Sequence, residues 1–214
     1  MDLALDHVIV AVPDLDDATA ALERTTGLRA TPGGRHPSLG TQNRLVPLGK
    51  AYLEIATVAD ERLAAGNEFG RAVLGARDSG PRFTGWVVRT REIEQAAPTW
   101  QSDVVSLTRD TPSGTQVGWR MAGLDNVRDP SRPLLIEWED EHEAPAFAEP
   151  THPVGRLRLD YVEIGDPARL LGTWLPHIDH VVLTASGQPG VHAVNLRTAA
   201  DTRIVVTESS FLPG

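Results

Sequence analysis

The chain has 214 residues, 41% hydrophobic and 23% charged, a globular composition with length for one large domain or two small ones. Twenty Lys and Arg against 29 Asp and Glu leave a net charge of −9, which repels phosphate backbones and argues against a nucleic-acid partner. The chain has no cysteine, so disulfides, thiolate metal ligands and cysteine nucleophiles are excluded, and His, Asp and Glu remain as metal ligands.

The stretch Leu5 to Val12 is β-branched, of strand length, and closed by Pro13, which cannot continue a ladder. Asp14 or Asp16 can cap a following helix, Leu15, Ala18 and Leu22 recur at helical spacing, and Gly27 supplies a left-handed terminator. Thr31 to Gly34 reads as a turn with glycines at positive φ, followed by extended segments at 43–48 and 51–58 joined at Gly49-Lys50. The unit reads β-α-β-β-β. A short helical stretch is expected over 60–74.

The same order recurs. A strand at 83–88, a helical pattern over 91–100 and extended segments at 104–108, 116–121 and 134–138 form a second copy. A third begins with a strand at 157–164, passes through a helical stretch at 167–175 and ends with strands at 180–184, 193–198 and 203–207. Residues 140–153 are acidic, carry Pro145, Pro150 and Pro153, and read as a linker. Aligned first strands place His7, Gly85 and Tyr161 at matching positions, and aligned last strands place Glu54, Glu137 and Val206 together.

Period-two alternation puts His7, Ile9 and Ala11 on one face of the first strand and Val8, Val10 and Val12 on the other, which should meet the helix. Tyr52, Glu54 and Ala56 likewise share a face opposite Leu53 and Ile55, so Glu54 and His7 are expected on one side of the sheet. In the second copy Leu135, Glu137 and Glu139 alternate with Ile136 and Trp138. One imidazole and two carboxylates suit a divalent metal such as Zn, Mn, Fe, Co or Ni with open positions for water and substrate. A carboxylate among Tyr52, Leu53 and Ile55 is costly to bury unless paired or coordinating, which singles out Glu54.

The opening Leu5 to Leu15, with Gly33-Gly34-Arg35-His36, Gly40-Thr41, Asn43 and Tyr52-Leu53-Glu54-Ile55, resembles the vicinal oxygen chelate superfamily of glyoxalases, extradiol dioxygenases, methylmalonyl-CoA epimerases and bleomycin resistance proteins. Within it, the chain is similar to the glyoxalase-like domain proteins. The resemblance implies an α+β fold in which two β-α-β-β-β units (1–58 and 83–140, together domain 1–140) pair into a cupped mixed or antiparallel sheet. The third similar unit, 155–214, would cover a surface or mediate assembly. The resemblance further implies His7, Glu54 and Glu137 as metal ligands, with Glu54 or Glu137 as general base. Gly85 stands where a family member with a full ligand set has His or Gln. His36 can fill that gap or bind a substrate oxygen, and Arg35 and Asn43 can hold a carboxylate or carbonyl.

The resulting expectation is a metal-dependent enzyme acting on a small oxygen-chelating substrate, of isomerase, epimerase, lyase or dioxygenase type. The alternative is a metal-free small-molecule binding or sequestration protein of the bleomycin-resistance type, which Gly85 favours. No apolar run approaches the ~20 residues of a membrane-spanning helix, so no membrane partner is expected. An acidic start without an apolar run behind it predicts a cytoplasmic location. The two units can pair within one chain or across a homodimer.

Overall fold

The computed structural model describes residues 2–145, 151–185 and 187–213; Pro150, one of the three linker prolines, lies outside them. The first unit consists of β1 (Ala4–Ala11), α1 (Leu15–Thr26), β2 (Thr31–His36), β3 (Thr41–Pro47) and β4 (Tyr52–Val58). Asp14 caps α1 through the amide of Asp17, and Gly27 ends it at φ 72°, the left-handed conformation that costs glycine little. Three short helices follow, α2 (Glu61–Ala65), α3 (Glu68–Leu74) and α4 (Ala76–Ser79). The second unit is β5 (Arg82–Arg89), α5 (Ile93–Trp100), β6 (Val105–Asp110), β7 (Gln116–Ala122) and β8 (Leu134–Trp138).

These eight strands close into a barrel in the order β1-β4-β3-β2-β6-β7-β8-β5, so the units pair within one chain. In each unit the first strand pairs in parallel with the fourth. Between units, β1 and β5 run antiparallel with His7 opposite Val87 and Ile9 opposite Gly85. This reciprocal register is that of a two-fold axis between the strands, and it makes Gly85 the counterpart of His7. The other seam, between β2 and β6, is one residue pair, Arg35 with Asp110.

The expected strand faces are the observed ones in the first unit. Val8, Val10, Val12, Leu53 and Ile55 pack under α1 in one apolar cluster, while Ile9, Ala11, Tyr52 and Ala56 join a second cluster inside the barrel. Helix α3 packs against β1 and β4, and Phe69 and Val73 on α3 and Ala76 on α4 complete the inner cluster. The expected single helix over 60–74 is thus two short helices, with α4 following, that together cover the interior.

The second unit departs from the expected alignment. Ile9 stands beside Glu54 in the β1–β4 ladder and Val87 beside Leu134 in the β5–β8 ladder, so the counterpart of Glu54 is Leu134, not Glu137. Glu137 lies three residues further on, and an odd displacement along a strand turns the side chain to the opposite face.

The C-terminal unit, β9 (Leu157–Gly165), α6 (Leu171–Trp174), β10 (Val181–Thr184), β11 (Gly190–Thr198) and β12 (Arg203–Val206), has the expected element order. Its sheet is wired differently, in the order β10-β9-β11-β12. Here β9 pairs in parallel with the second strand of its unit and antiparallel with the third, whereas the barrel units pair first with fourth. Val206, aligned in sequence with Glu54, therefore lies on a strand that pairs with β11 and not with β9. Leu159, Val162, Val194 and Leu196 belong to the same apolar cluster as α1, α5 and the outer faces of β1 and β5. Trp174 meets Trp100 edge to face at 5.2 Å, and Arg132 lies over the Trp174 ring at 5.3 Å. The unit covers the outside of the barrel and shares its core.

Candidate active site

A cavity inside the barrel is lined by His7 and Ile9 from β1, His36 from β2, Asn43 from β3, Tyr52 and Glu54 from β4, Arg109 from β6, Trp119 from β7 and Trp138 from β8, among others. It offers about 30 Å³ to the centres of water molecules, more than the ~10–15 Å³ that one water needs. Leu39, Phe69 and Leu124 add apolar lining.

Glu54 is its hub. Its carboxylate accepts a hydrogen bond from Asn43 Nδ2 at 2.6 Å and faces His7 Nε2 at 3.4 Å and His36 Nε2 at 3.8 Å. All four side chains are buried. Asn43 reaches this place because the chain opposite it is glycine: a Cβ on Gly33 would stand 2.0 Å from Asn43 Oδ1, and one on Gly34 would stand 2.1 Å from the Asp110 carbonyl across the seam. Both glycines lie within β2, and neither has positive φ. They are sites of close approach rather than turn residues, and the Gly34 amide donates to Asn43 Oδ1 at 2.9 Å, which fixes the amide orientation.

The two imidazoles are held in opposite protonation states. His7 places Nδ1 2.7 Å from Asp6 Oδ1 and Nε2 toward Glu54, so both ring nitrogens face carboxylates and both act as donors. Burial opposes the charge, but the contacts to Asp6 and Glu54 outweigh it and raise the pKa to about 9. The fully buried Asp6 is itself held by Trp138 Nε1 at 3.1 Å, and His7 stacks on Tyr52 with ring centroids 4.5 Å apart.

His36 places Nδ1 2.8 Å from the Thr41 hydroxyl and Nε2 3.4 Å from Asn43 Nδ2, an amide donor. Its Nε2 therefore carries the lone pair. Burial, with smaller contributions from the positive charges of Arg109 and His7, lowers its pKa against the pull of Glu54. Glu54 stays ionised: burial would raise its pKa, but His7, His36 and Asn43 together bring it to about 2.

Of the residues singled out in the sequence, His7, His36, Asn43 and Glu54 come together here. Arg35 does not: its side chain is exposed on the outside of the barrel, facing the groove beside α1. Glu137 does not either. It pairs with Arg120 and accepts from the Ile93 amide at the start of α5, while its neighbours Ile136 and Trp138 face the cavity. Arg109 and Trp119 were not singled out, and the inward alternation of Leu107 with Arg109 and of Val117 with Trp119 is the signal that marks them.

The residues present do not fit the metal centre that the resemblance implies. The counterparts of His7 and Glu54 in the second unit are Gly85 and Leu134, which offer no donor atom, and Glu137 is outside. Among the described residues no group of three or more His, Asp or Glu is disposed to hold a metal ion. A buried guanidinium, that of Arg109, also faces the same space.

A closed barrel of two β-α-β-β-β units around a buried polar cluster defines a glyoxalase-like fold. Residues 5–177 match the model of the glyoxalase-like domain family, and the chain belongs to that family, within the vicinal oxygen chelate superfamily. No curated protein matches it. Among solved structures it is similar to a hypothetical protein from Staphylococcus aureus, with TM-score 0.62 at 18% identity over 96% of this chain and 86% of that one. A methylmalonyl-CoA epimerase from Mycobacterium tuberculosis has TM-score 0.47 and 17% identity over 66% of this chain and 91% of that one. A methylmalonyl-CoA epimerase from Streptomyces coelicolor, in complex with 2-nitronate-propionyl-CoA, has 0.49 and 14% over 65% and 100%. No helix is long and apolar enough to cross a membrane among the described residues.

Proposed function

We propose that the protein is an acid–base catalyst of isomerase or epimerase type, acting on a small carbonyl compound inside the barrel without a metal ion. The observation that carries this reading is the pair of imidazoles flanking Glu54, one protonated by its contacts and one neutral, with its Nε2 lone pair held only by the Asn43 amide at 3.4 Å. Titratable groups pushed apart by their surroundings are the usual mark of an acid and base assignment. Seven of the eight barrel strands send a side chain into the same cavity, which supports a substrate site rather than a packed interior.

His36 Nε2 removes a proton from the carbon next to the carbonyl. His7 Nε2–H donates to the carbonyl oxygen as negative charge gathers there, and Asp6 holds the far side of that ring. His36 then returns its proton to a neighbouring position, which isomerises the compound, or to the opposite face of the same carbon once the planar enolate has turned, which epimerises it. Glu54 keeps His7 charged and positions its ring, while the Thr41 hydroxyl and the Asn43 amide position His36. The buried walls exclude bulk water from the enolate.

The test is hydrogen exchange. A panel of small aldehydes, ketones, esters and oxo-acids is incubated with protein in D₂O and followed by NMR. The expected result is loss of a C–H signal next to a carbonyl, slowed ~10²–10⁴-fold in His36→Asn and His7→Gln variants, the usual span for general acid–base catalysis. Exchange at the wild-type rate in both variants would overturn the assignment.

A further inference from the structure

We infer that the cavity takes a short-chain oxo-carboxylate, with its anionic end against Arg109 and Trp119. The inference rests on the reading that this cavity is the substrate site, and adds the class of molecule it receives.

Arg109 is 6% exposed, lies in the cavity wall, and takes part in no ion pair or hydrogen bond among the described residues; its buried Nε has no partner. A guanidinium removed from water without an anion is costly, and here it lines the cavity that also holds the acid and base. Trp119 repeats the pattern. Its Nε1 is buried without a partner, and it lines the same cavity. The two residues are diagonal neighbours on adjacent strands, since Arg109 stands opposite Val117 and Leu107 opposite Trp119.

Both groups are donors with no capacity to accept, so what satisfies them must be an acceptor. The cavity's own carboxylate is already engaged by Asn43 and His7. A ligand carboxylate meets both donors, and an arginine fork is the group best matched to it. His36 meets the Trp119 ring edge to face at 5.8 Å, which puts the base beside the carboxylate end. The rest of the lining, including Leu39, Phe69, Leu107 and Met121, is apolar, and the small volume sets a limit of a few carbons.

The experiment is calorimetric titration with 2-oxobutyrate and with its neutral analogue of nearly the same shape, 2-oxobutyramide. Wild-type protein is expected to bind the acid at least ~10-fold more tightly than the amide, as charge-assisted pairing implies. Arg109→Met is expected to abolish that preference, Arg109→Lys to keep part of it, and Trp119→Phe to weaken acid binding several-fold. Equal binding of acid and amide by wild type, or no binding of the acid, would overturn the inference without any variant being needed. Acid binding as expected with no D₂O exchange in wild type would overturn the proton-transfer reading alone. Exchange of neutral carbonyl compounds with no preference for the acid would overturn the carboxylate class alone.

Discussion

His7 and His36 approach the same carboxylate, Glu54, at 3.4 and 3.8 Å, and what each holds with its other nitrogen makes them chemically different. The first rests on a carboxylate and keeps its proton; the second rests on a hydroxyl and gives its proton up. One acidic hub thus supports an acid and a base a few ångströms apart.

The rate should follow a bell in pH. Activity requires His36 neutral and His7 charged, so kcat/KM should rise on an acid limb below His36's ordinary 6.5 and fall on an alkaline limb near 9. An alkaline limb at 6.5 instead would contradict the charged state of His7.

Stability should peak near pH 6.5. The pKa of His7 is raised by folding from 6.5 to about 9, so its contribution is complete below 6.5 and lost as pH rises through 9. Glu54 is lowered from 4.5 to about 2, so its contribution is complete above 4.5 and lost as pH falls toward 2. His36 is lowered by folding and therefore penalises the folded state as pH falls below 6.5. Counting the His7–Glu54 contact once, the loss from pH 6.5 to 9 is on the order of 3 kcal/mol. Urea unfolding across pH 4 to 10 measures it, and a Glu54→Gln variant should flatten the acid side.

Glu137→Gln should lower stability by about 1 kcal/mol through its half-buried pair with Arg120, and leave proton exchange unchanged. Loss of exchange with stability intact would restore Glu137 to the site.

Arg109→Met should raise the unfolding free energy by about 1–2 kcal/mol, because a buried charge without a partner gives way to an apolar chain of similar length. Denaturant midpoints of the two proteins decide it. A destabilised variant would mean that Arg109 is satisfied within the folded protein.

Period-two alternation in the first unit was enough to place His7 and Glu54 on one inner face, because Val8, Val10 and Leu53, Ile55 leave no doubt about which face meets α1. In the second unit the aligned carboxylate misled: Glu137 matches Glu54 in kind, but Leu134 matches it in register. Leu135 under α5 and Ile136 inside the barrel are both apolar, so hydrophobicity along β8 does not separate its faces. Strand β2 was hidden by Pro32, Gly33 and Gly34, which read as a turn until the close approach of Asn43 and β6 explains them. The different wiring of the C-terminal sheet is a matter of pairing between distant segments, which element order does not specify.

The protonation states of the two imidazoles carry the account, and nitrogen-15 NMR of histidine-labelled protein at pH 7 reads them without a substrate. The expected spectrum shows the His7 ring doubly protonated, titrating near 9, and the His36 ring neutral with its proton on Nδ1 and an unprotonated Nε2. A neutral His7 at pH 7, or a His36 protonated on both nitrogens, would contradict it.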